Sequence, residues 1–321
     1  MEVLSSVLSA MKLSGSVFLE AEFSRPWCIA SRLEPEDCAE YFPEPAHVIS
    51  YHYVIAGTCY CAVESEPPVE VRAGQIVMVP RNEKHFMGDR LTNQPAPAKD
   101  LMQPGEDGGL ARIVWGGGGE ITRLCCGFLG TITPINAFLL SLPRVMVVDI
   151  SRGEAGEWMA SSIRFAMSQA PSRSPEMLGR LSELLFVEAV KQFVEEMPED
   201  HVGWLGGLRD PYVGKALALM HECPAEAWTM DTLSKEVGLS RSALADRFSI
   251  LLGEPPMRYL ARHRMNVAAN LLREGRQNAS NIAYAVGFNS EAAFNRAFKK
   301  EFGVPPGAWR KEQTAEVERV S

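Results

Sequence analysis

Val237-Gly238-Leu239-Ser240-Arg241-Ser242-Ala243-Leu244-Ala245-Asp246-Arg247-Phe248 recurs further along the chain, with one extra turn residue, as Val286-Gly287-Phe288-Asn289-Ser290-Glu291-Ala292-Ala293-Phe294-Asn295-Arg296-Ala297-Phe298. Each copy carries the same physical instructions. Gly238 and Gly287 permit the positive φ that a tight turn between helices needs, and Ser240 and Ser290 can cap the helix that follows. Leu244 and Phe248, like Phe294 and Phe298, lie four apart, so they hold one helical face to a core and leave the opposite face free. The small residues Ser234 and Ala283, four before each glycine, let two helices approach closely. The spacing predicts a helix-turn-helix unit, present twice.

Between the copies, Pro255-Pro256 opens a stretch that keeps helical spacing through Tyr259, Leu260, Met265, Ala268, Leu271 and Leu272. Proline is tolerated in a first turn, so the stretch reads as one continuous helix, a rigid spacer between the two units. Charge is segregated in the same sense. The whole chain of 321 residues has a formal net charge of −8, which by itself argues against a nucleic-acid partner. Yet residues 1–210 hold 17 basic against 28 acidic residues, whereas residues 211–321 hold 15 against 12. From Arg241 to Lys311 the count is 12 basic to 5 acidic. A compact basic stretch of that kind is what a phosphate backbone selects.

These features, with the opening Asp210-Pro211, the Tyr259-Leu260-(x)3-Arg264-Met265-(x)2-Ala268-(x)2-Leu271-Leu272 helix and the closing Phe302-Gly303-Val304-Pro305-Pro306-(x)2-Trp309-Arg310, resemble the AraC/XylS family of bacterial transcription regulators. The resemblance runs from about Asp210 to Arg310. It implies two recognition helices in successive major grooves on one face of double-stranded DNA, a repeat of roughly 34 Å, with RNA polymerase as a further partner. Carried over by position, the base-facing residues are Ser242, Ala245 and Asp246 in the first unit and Glu291, Ala292, Asn295 and Arg296 in the second. Ala245 offers only apolar contact, and Asp246 either accepts from cytosine or pairs with Arg247 or another neighbour, so the second unit is expected to carry much of the direct readout. Arg241, Arg247, Lys299, Lys300, Arg310 and Lys311 are expected on phosphates, where charge matters and sequence does not. Arg310 has an alternative role as a helix C-terminal cap.

Upstream, short β-type runs at Ser16–Leu19, His47–Ile55, Cys59–Val63, Val69–Val71, Gln75–Val79 and Leu124–Leu129 are broken by Ala56-Gly57, Pro67-Pro68, Ala73-Gly74 and Pro80-Arg81-Asn82. Such spacing predicts an antiparallel barrel or sandwich. The stretch rich in Pro, Gly, Asn and Asp between Gly88 and Gly119 reads as a long loop. After Asp149 the period changes to about 3.6, predicting amphipathic helices over 153–169 and 174–196, which either cover the barrel or make a dimer interface. Met197 to Asp210 reads as a linker.

Tyr51-His52-Tyr53-Val54-Ile55-Ala56-Gly57, then Ala73-Gly74-Gln75-Ile76-Val77-Met78-Val79-Pro80 and His85, resemble the cupin-like sensor half of AraC-type regulators. The chain is thus expected to be an α+β multidomain protein. A cupin-like β-barrel spans 1–152, helices for dimerisation or cover 153–200, a linker 201–209, and an all-α domain with two helix-turn-helix units 210–314. A homodimer under the control of a small molecule or a redox signal is the expected regulator.

Metal-binding cupins use clustered histidines and a carboxylate. Here the first motif lacks the paired histidines and the acid, leaving at best His47, His52 and His85, for which a structural role is the better reading. No cofactor is expected, and cupin-type metalloenzyme activity in the N-terminal half is the alternative. His52 and His85 are candidates for an effector pocket. Of the adjacent Cys125 and Cys126, at most one lines the barrel, and Cys126 is the candidate redox thiol. Seven cysteines are an odd, scattered set rather than a disulfide framework. Runs such as Val145-Met146-Val147-Val148 are strand-sized, far short of the ~20 residues of a membrane helix. With no signal-like start at Met1 to Leu13, a cytoplasmic location is expected.

Overall fold

The computed structural model describes residues 4, 8, 11, 13–38, 45–105, 110–131, 137–151, 153–168, 175–198, 203–273, 275 and 277–311. Two compact units divide the chain, one of residues 11–197 and the other of residues 1–10 together with 198–321.

The first unit is two facing sheets. One has the strand order β11-β6-β3-β10-β1-β9, built from β1 (Ser14–Ser24), β3 (His47–Ala56), β6 (Gln75–Val79), β9 (Ala111–Gly116), β10 (Ile121–Thr131) and β11 (Met146–Asp149). The other runs β5-β4-β7-β2-β8, from β2 (Cys28–Ser31), β4 (Thr58–Val63), β5 (Val69–Arg72), β7 (His85–Gly88) and β8 (Ala96–Pro97). Alternate residues of both sheets share one core: Leu19, Phe23, Val54, Val77 and Leu124 from the first meet Ile29, Cys59, Cys61, Val71 and Met87 from the second. This is the alternation that a cupin-like barrel requires, and it aims Cys126 and His52, which face each other in register across β10 and β3, into the interior.

The Gly88–Gly119 stretch differs from the loop expected of it. It contains β8, the one-turn α1 (Ala98–Leu101) and β9, an edge strand parallel to β1. Glycines at 116–119 lead from β9 to β10, which lies on the other side of β1, and mask the strand before them in the sequence. After α2 (Ala137–Ser141) come α3 (Gly153–Ser168) and α4 (Pro175–Glu196), within a residue of the expected bounds. Helix α4 lies against β1, and Tyr51 Oη meets Ser182 Oγ at 2.8 Å between β3 and α4.

The second unit is helical: α5 (Trp204–Arg209), α6 (Pro211–Glu222), α7 (Met230–Val237), α8 (Arg241–Leu252), α9 (Pro256–Arg273), α10 (Ala279–Ala285) and α11 (Glu291–Phe302). Helix α5 lies inside the stretch expected to be linker. Its Trp204, Leu205 and Leu208 are buried, so tertiary burial overrides the helix-breaking tendency of Gly206-Gly207. Helix α9 is the continuous spacer, with Tyr259, Leu260, Met265, Ala268 and Leu272 buried. All seven cysteines are free thiols, and only Cys223 is exposed. No helix among the described residues is long and apolar enough to cross a membrane.

Candidate nucleic-acid interface

Both repeats fold as their residues dictate. Helix α7 ends at Gly238, whose φ is +83°, and Ser240 Oγ accepts the Ala243 N–H at the start of α8. In the second copy Gly287 again has φ +83°, and Ser290 Oγ accepts the Ala293 N–H at the start of α11. The glycines differ in one respect. A Cβ on Gly238 would meet nothing within 4 Å, whereas one on Gly287 would lie 2.7 Å from the Ala225 carbonyl oxygen. Backbone conformation alone requires the first; close approach requires the second as well. Leu244, Phe248, Phe294 and Phe298 are fully buried, which turns the other faces of α8 and α11 outward.

On α8 the outward residues are Ser242, half-buried Ala245, Asp246, Arg241 and Arg247. Both arginines are already engaged. Arg247 Nε donates to Asp210 Oδ2 at 2.5 Å and its guanidinium lies over the Tyr212 ring, while Arg241 Nη1 is 3.2 Å from Asp231 Oδ1. Asp246 is thus not the partner of Arg247; Asp210 takes that role, from far away in sequence. Asp246 remains exposed.

On α11, exposed Glu291, Ala292, Arg296, Lys299 and Lys300 and half-buried Asn295 share the outward side. Among the described residues no ion pair or hydrogen bond engages the side chains of Asn295, Arg296, Lys299 or Lys300. A cleft of about 450 Å³ lies beside the helix, between Glu291, Asn295, Arg296 and Lys299 on one wall and Ala279 and Pro305-Pro306-Gly307 on the other. Arg310 is half-buried and donates from Nη2 to the Gln277 carbonyl oxygen at 2.5 Å, tying the closing helical turn to the start of α10. Lys311 is exposed at the end of the described chain.

In the barrel, His52 and His85 both face inward, 6% and 0% exposed. Their Nε2 atoms are 2.8 Å apart, and His52 Nδ1 is 2.9 Å from Cys126 Sγ. Cys126 is 3% exposed rather than open to solvent, as a peroxide-accessible thiol would be. Burial, with smaller contributions from Cys125 and Cys59, holds its pKa well above the ordinary thiol value. Burial lowers His52 well below the usual histidine range, aided by His85, and lowers His85 to about 4. His47 lies apart from this pair, with Nε2 2.7 Å from the Pro80 carbonyl oxygen. Among the described residues no three His, Cys, Asp or Glu side chains are grouped to hold a metal ion.

A cupin family profile matches residues 2–195, and a helix-turn-helix domain profile matches residues 233–312. An AraC-like transcription regulator of Streptomyces lividans is 32% identical over 270 residues, 83% of this chain and 88% of that protein. The chain belongs to the AraC family of transcription regulators. The HTH-type transcriptional regulator AlkR of Acinetobacter baylyi is 25% identical over 322 residues, 97% of this chain and all of that one (100%). The HTH-type transcriptional regulator MtrA of Neisseria gonorrhoeae is 24% identical over 315 residues, 97% of this chain and 99% of that protein. This AraC-family member is a DNA-binding transcription regulator, with a strand-rich cupin half and a helical half that holds both helix-turn-helix units. The second unit's uncompensated arginine and lysines were foreseeable from residue type. The distant aspartate that occupies Arg247 was not, because nothing local in the sequence links the two.

Proposed function

We propose that this regulator reads its operator chiefly through α11, with Arg296 and Asn295 on base edges and Glu291 and Ala292 beside them, while Ser242, Ala245 and Asp246 of α8 add a weaker set of base contacts. The observation that carries this reading is the asymmetry of charge. Arg296, Lys299 and Lys300 have no intramolecular partner among the described residues, whereas Arg241 and Arg247 must leave Asp231 and Asp210 to reach a phosphate. A guanidinium free in solution loses little on meeting guanine bidentately, a contact of about 1–3 kcal/mol in discrimination. One already paired exchanges partners and gains less. Lys299, Lys300 and Lys311 are the phosphate contacts, with Arg310 bracing the second unit as well as adding charge.

The same reading makes the barrel unit the controlling half. Two copies associate through α3 and α4, where Trp158 and Leu184 stand 48% and 49% exposed, and a small uncharged molecule acts in the interior around His52, His85 and Cys126. RNA polymerase is the downstream partner. The relatives' names support a regulator in preference to a cupin enzyme.

Residues 203–321 expressed alone test where DNA binding lies. Their affinity for duplex DNA is expected to fall steeply with salt, with log K dropping by about 0.9 per log salt for each phosphate engaged. A fragment without salt-dependent binding would contradict the reading.

A further inference from the structure

We propose that the cleft beside α11 is the docking site of the chain's own residues 312–321, an acidic segment that covers Arg296 and Lys299 until DNA displaces it. The competition with DNA rests on the reading of α11 as the face that meets the operator; the docking itself does not.

The cleft has two unlike surfaces. Ala279, Pro305 and Pro306 give it apolar walls, extended by the methylene stems of Arg296 and Lys299, around a volume of about 450 Å³. The adjoining prolines restrict the backbone of one wall, so little ordering is needed there to receive an occupant. The charged heads of Arg296 and Lys299 have no acidic partner among the described residues, and exposed Lys300 follows on the same helix. An occupant matched to both surfaces is a short chain that alternates carboxylates with aliphatic side chains.

The residues after Lys311 read Glu312-Gln313-Thr314-Ala315-Glu316-Val317-Glu318-Arg319-Val320-Ser321, three glutamates against one arginine. Glu316-Val317-Glu318 has the required alternation. In an extended backbone its two carboxylates share one side, toward the cations, and Val317 takes the other, toward the apolar wall. Reach is not limiting. Lys311 is only four residues past Gly307 of the cleft wall, and five further extended residues span roughly 17 Å, against roughly 12 Å from Glu291 to Lys299 along the helix. Glu291 repels carboxylates at its own end, so the segment lies toward Lys299. Ion pairs this exposed are individually weak, but tethering holds the segment at an effective concentration of about millimolar. Random duplex, bound almost entirely through charge, must then compete with it, whereas an operator adds base contacts that displace it. Docking therefore raises specificity.

The test uses the full chain and a water-soluble carbodiimide, which joins a carboxylate to an amine in contact, with peptide mass mapping. Glu316 or Glu318 is expected to link to Lys299 or Lys300 at least about fivefold more often than to exposed Lys235, as a tethered partner should. A Cβ on Gly307 meets nothing within 4 Å, so Gly307→Phe can fill the cleft and should abolish the link. Excess random duplex should abolish it too, and truncation after Lys311 should tighten binding to that duplex about three- to tenfold at low salt, less at high salt. Linkage no more frequent than at Lys235, linkage that survives Gly307→Phe, or linkage only between isotopically labelled and unlabelled chains, which would seat a second copy's segment there, would each overturn the docking. A link that forms as expected but persists under excess duplex, with affinity unchanged by truncation, keeps the docking and overturns α11 as the face that meets DNA.

Discussion

Asp210 and Arg247 meet at 2.5 Å while the other oxygen of the same carboxylate accepts the N–H groups of Tyr212 and Val213 at 3.0 and 2.9 Å. One side chain therefore starts α6 and holds the recognition-helix arginine of the first repeat. The two tasks are separable by mutation. Asp210→Ser keeps a capping oxygen and releases Arg247; the released arginine should add about one phosphate contact and steepen the salt dependence by about 0.9. Asp210→Ala should also cost about 1 kcal/mol of stability through the lost cap. Titrations on random DNA at several salt concentrations, with urea unfolding alongside, read both; an unaltered salt slope in Asp210→Ser would mean that Arg247 does not reach phosphate.

The two turn glycines should differ in what they tolerate. Gly238→Ala imposes only the left-handed backbone penalty, about 1–2 kcal/mol. Gly287→Ala adds a Cβ 2.7 Å from the Ala225 carbonyl oxygen, so it should unfold at clearly lower urea than Gly238→Ala. Equal midpoints would show that the backbone near Ala225 yields without cost.

In the helical unit the tilted rings of His221 and His263 pack with centroids 3.9 Å apart, and His221 Nε2 lies 2.7 Å from Tyr259 Oη. Burial lowers both pKa values, helped by His263 at His221 and by Arg264 at His263, which falls from 6.5 to about 4. Between those two values the unfolded chain binds more protons than the folded one. The stability present above pH 6.5 is therefore lost as pH falls toward 4, by up to about 1.4 kcal/mol per pH unit for each histidine. Unfolding midpoints of the helical unit at pH 7 and pH 5 should show this loss, and His263→Gln should flatten it. A pH dependence unchanged by His263→Gln would place the titration elsewhere.

The exposed Trp158 and Leu184 of α3 and α4 predict self-association of the barrel unit. Trp158→Glu should shift the full-length protein from dimer toward monomer in sedimentation. A wild-type monomer at tens of micromolar, about what a modest interface would bridge, would refute the assignment.

What could be read ahead of the structure was local. Gly238, Ser240, Leu244 and Phe248 each state a turn, a cap or a buried face within a dozen residues, and the second copy repeats them; both units and the α9 spacer follow. The helices after Asp149 were legible from periodicity for the same reason. Features settled by distant residues were not. Strand β9 is hidden by the glycines after it and exists because β1 pairs with it. Helix α5 carries two glycines and forms because Trp204 is buried, its Nε1–H donating to Tyr259 Oη at 3.0 Å. His52, His85 and Cys126 were each singled out, yet their contact depends on the β3–β10 register and on the two sheets facing each other. The first recognition helix looked weak from Ala245 and Asp246 alone, but the stronger reason, the occupation of Arg241 and Arg247 by aspartates outside the helix, is a tertiary fact.

Readout of sequence from α11 can be measured directly. A duplex selected by the wild-type regulator from a random pool and an unrelated duplex of equal length provide the comparison, with Arg296→Ala and Lys300→Ala measured on both. Arg296→Ala should lower the selected-to-random affinity ratio by about 1–3 kcal/mol, whereas Lys300→Ala should weaken both duplexes about equally and make the salt slope shallower. An unchanged ratio in Arg296→Ala would contradict it, and would assign Arg296 to the backbone and the readout to Asn295, Glu291 or the first recognition helix.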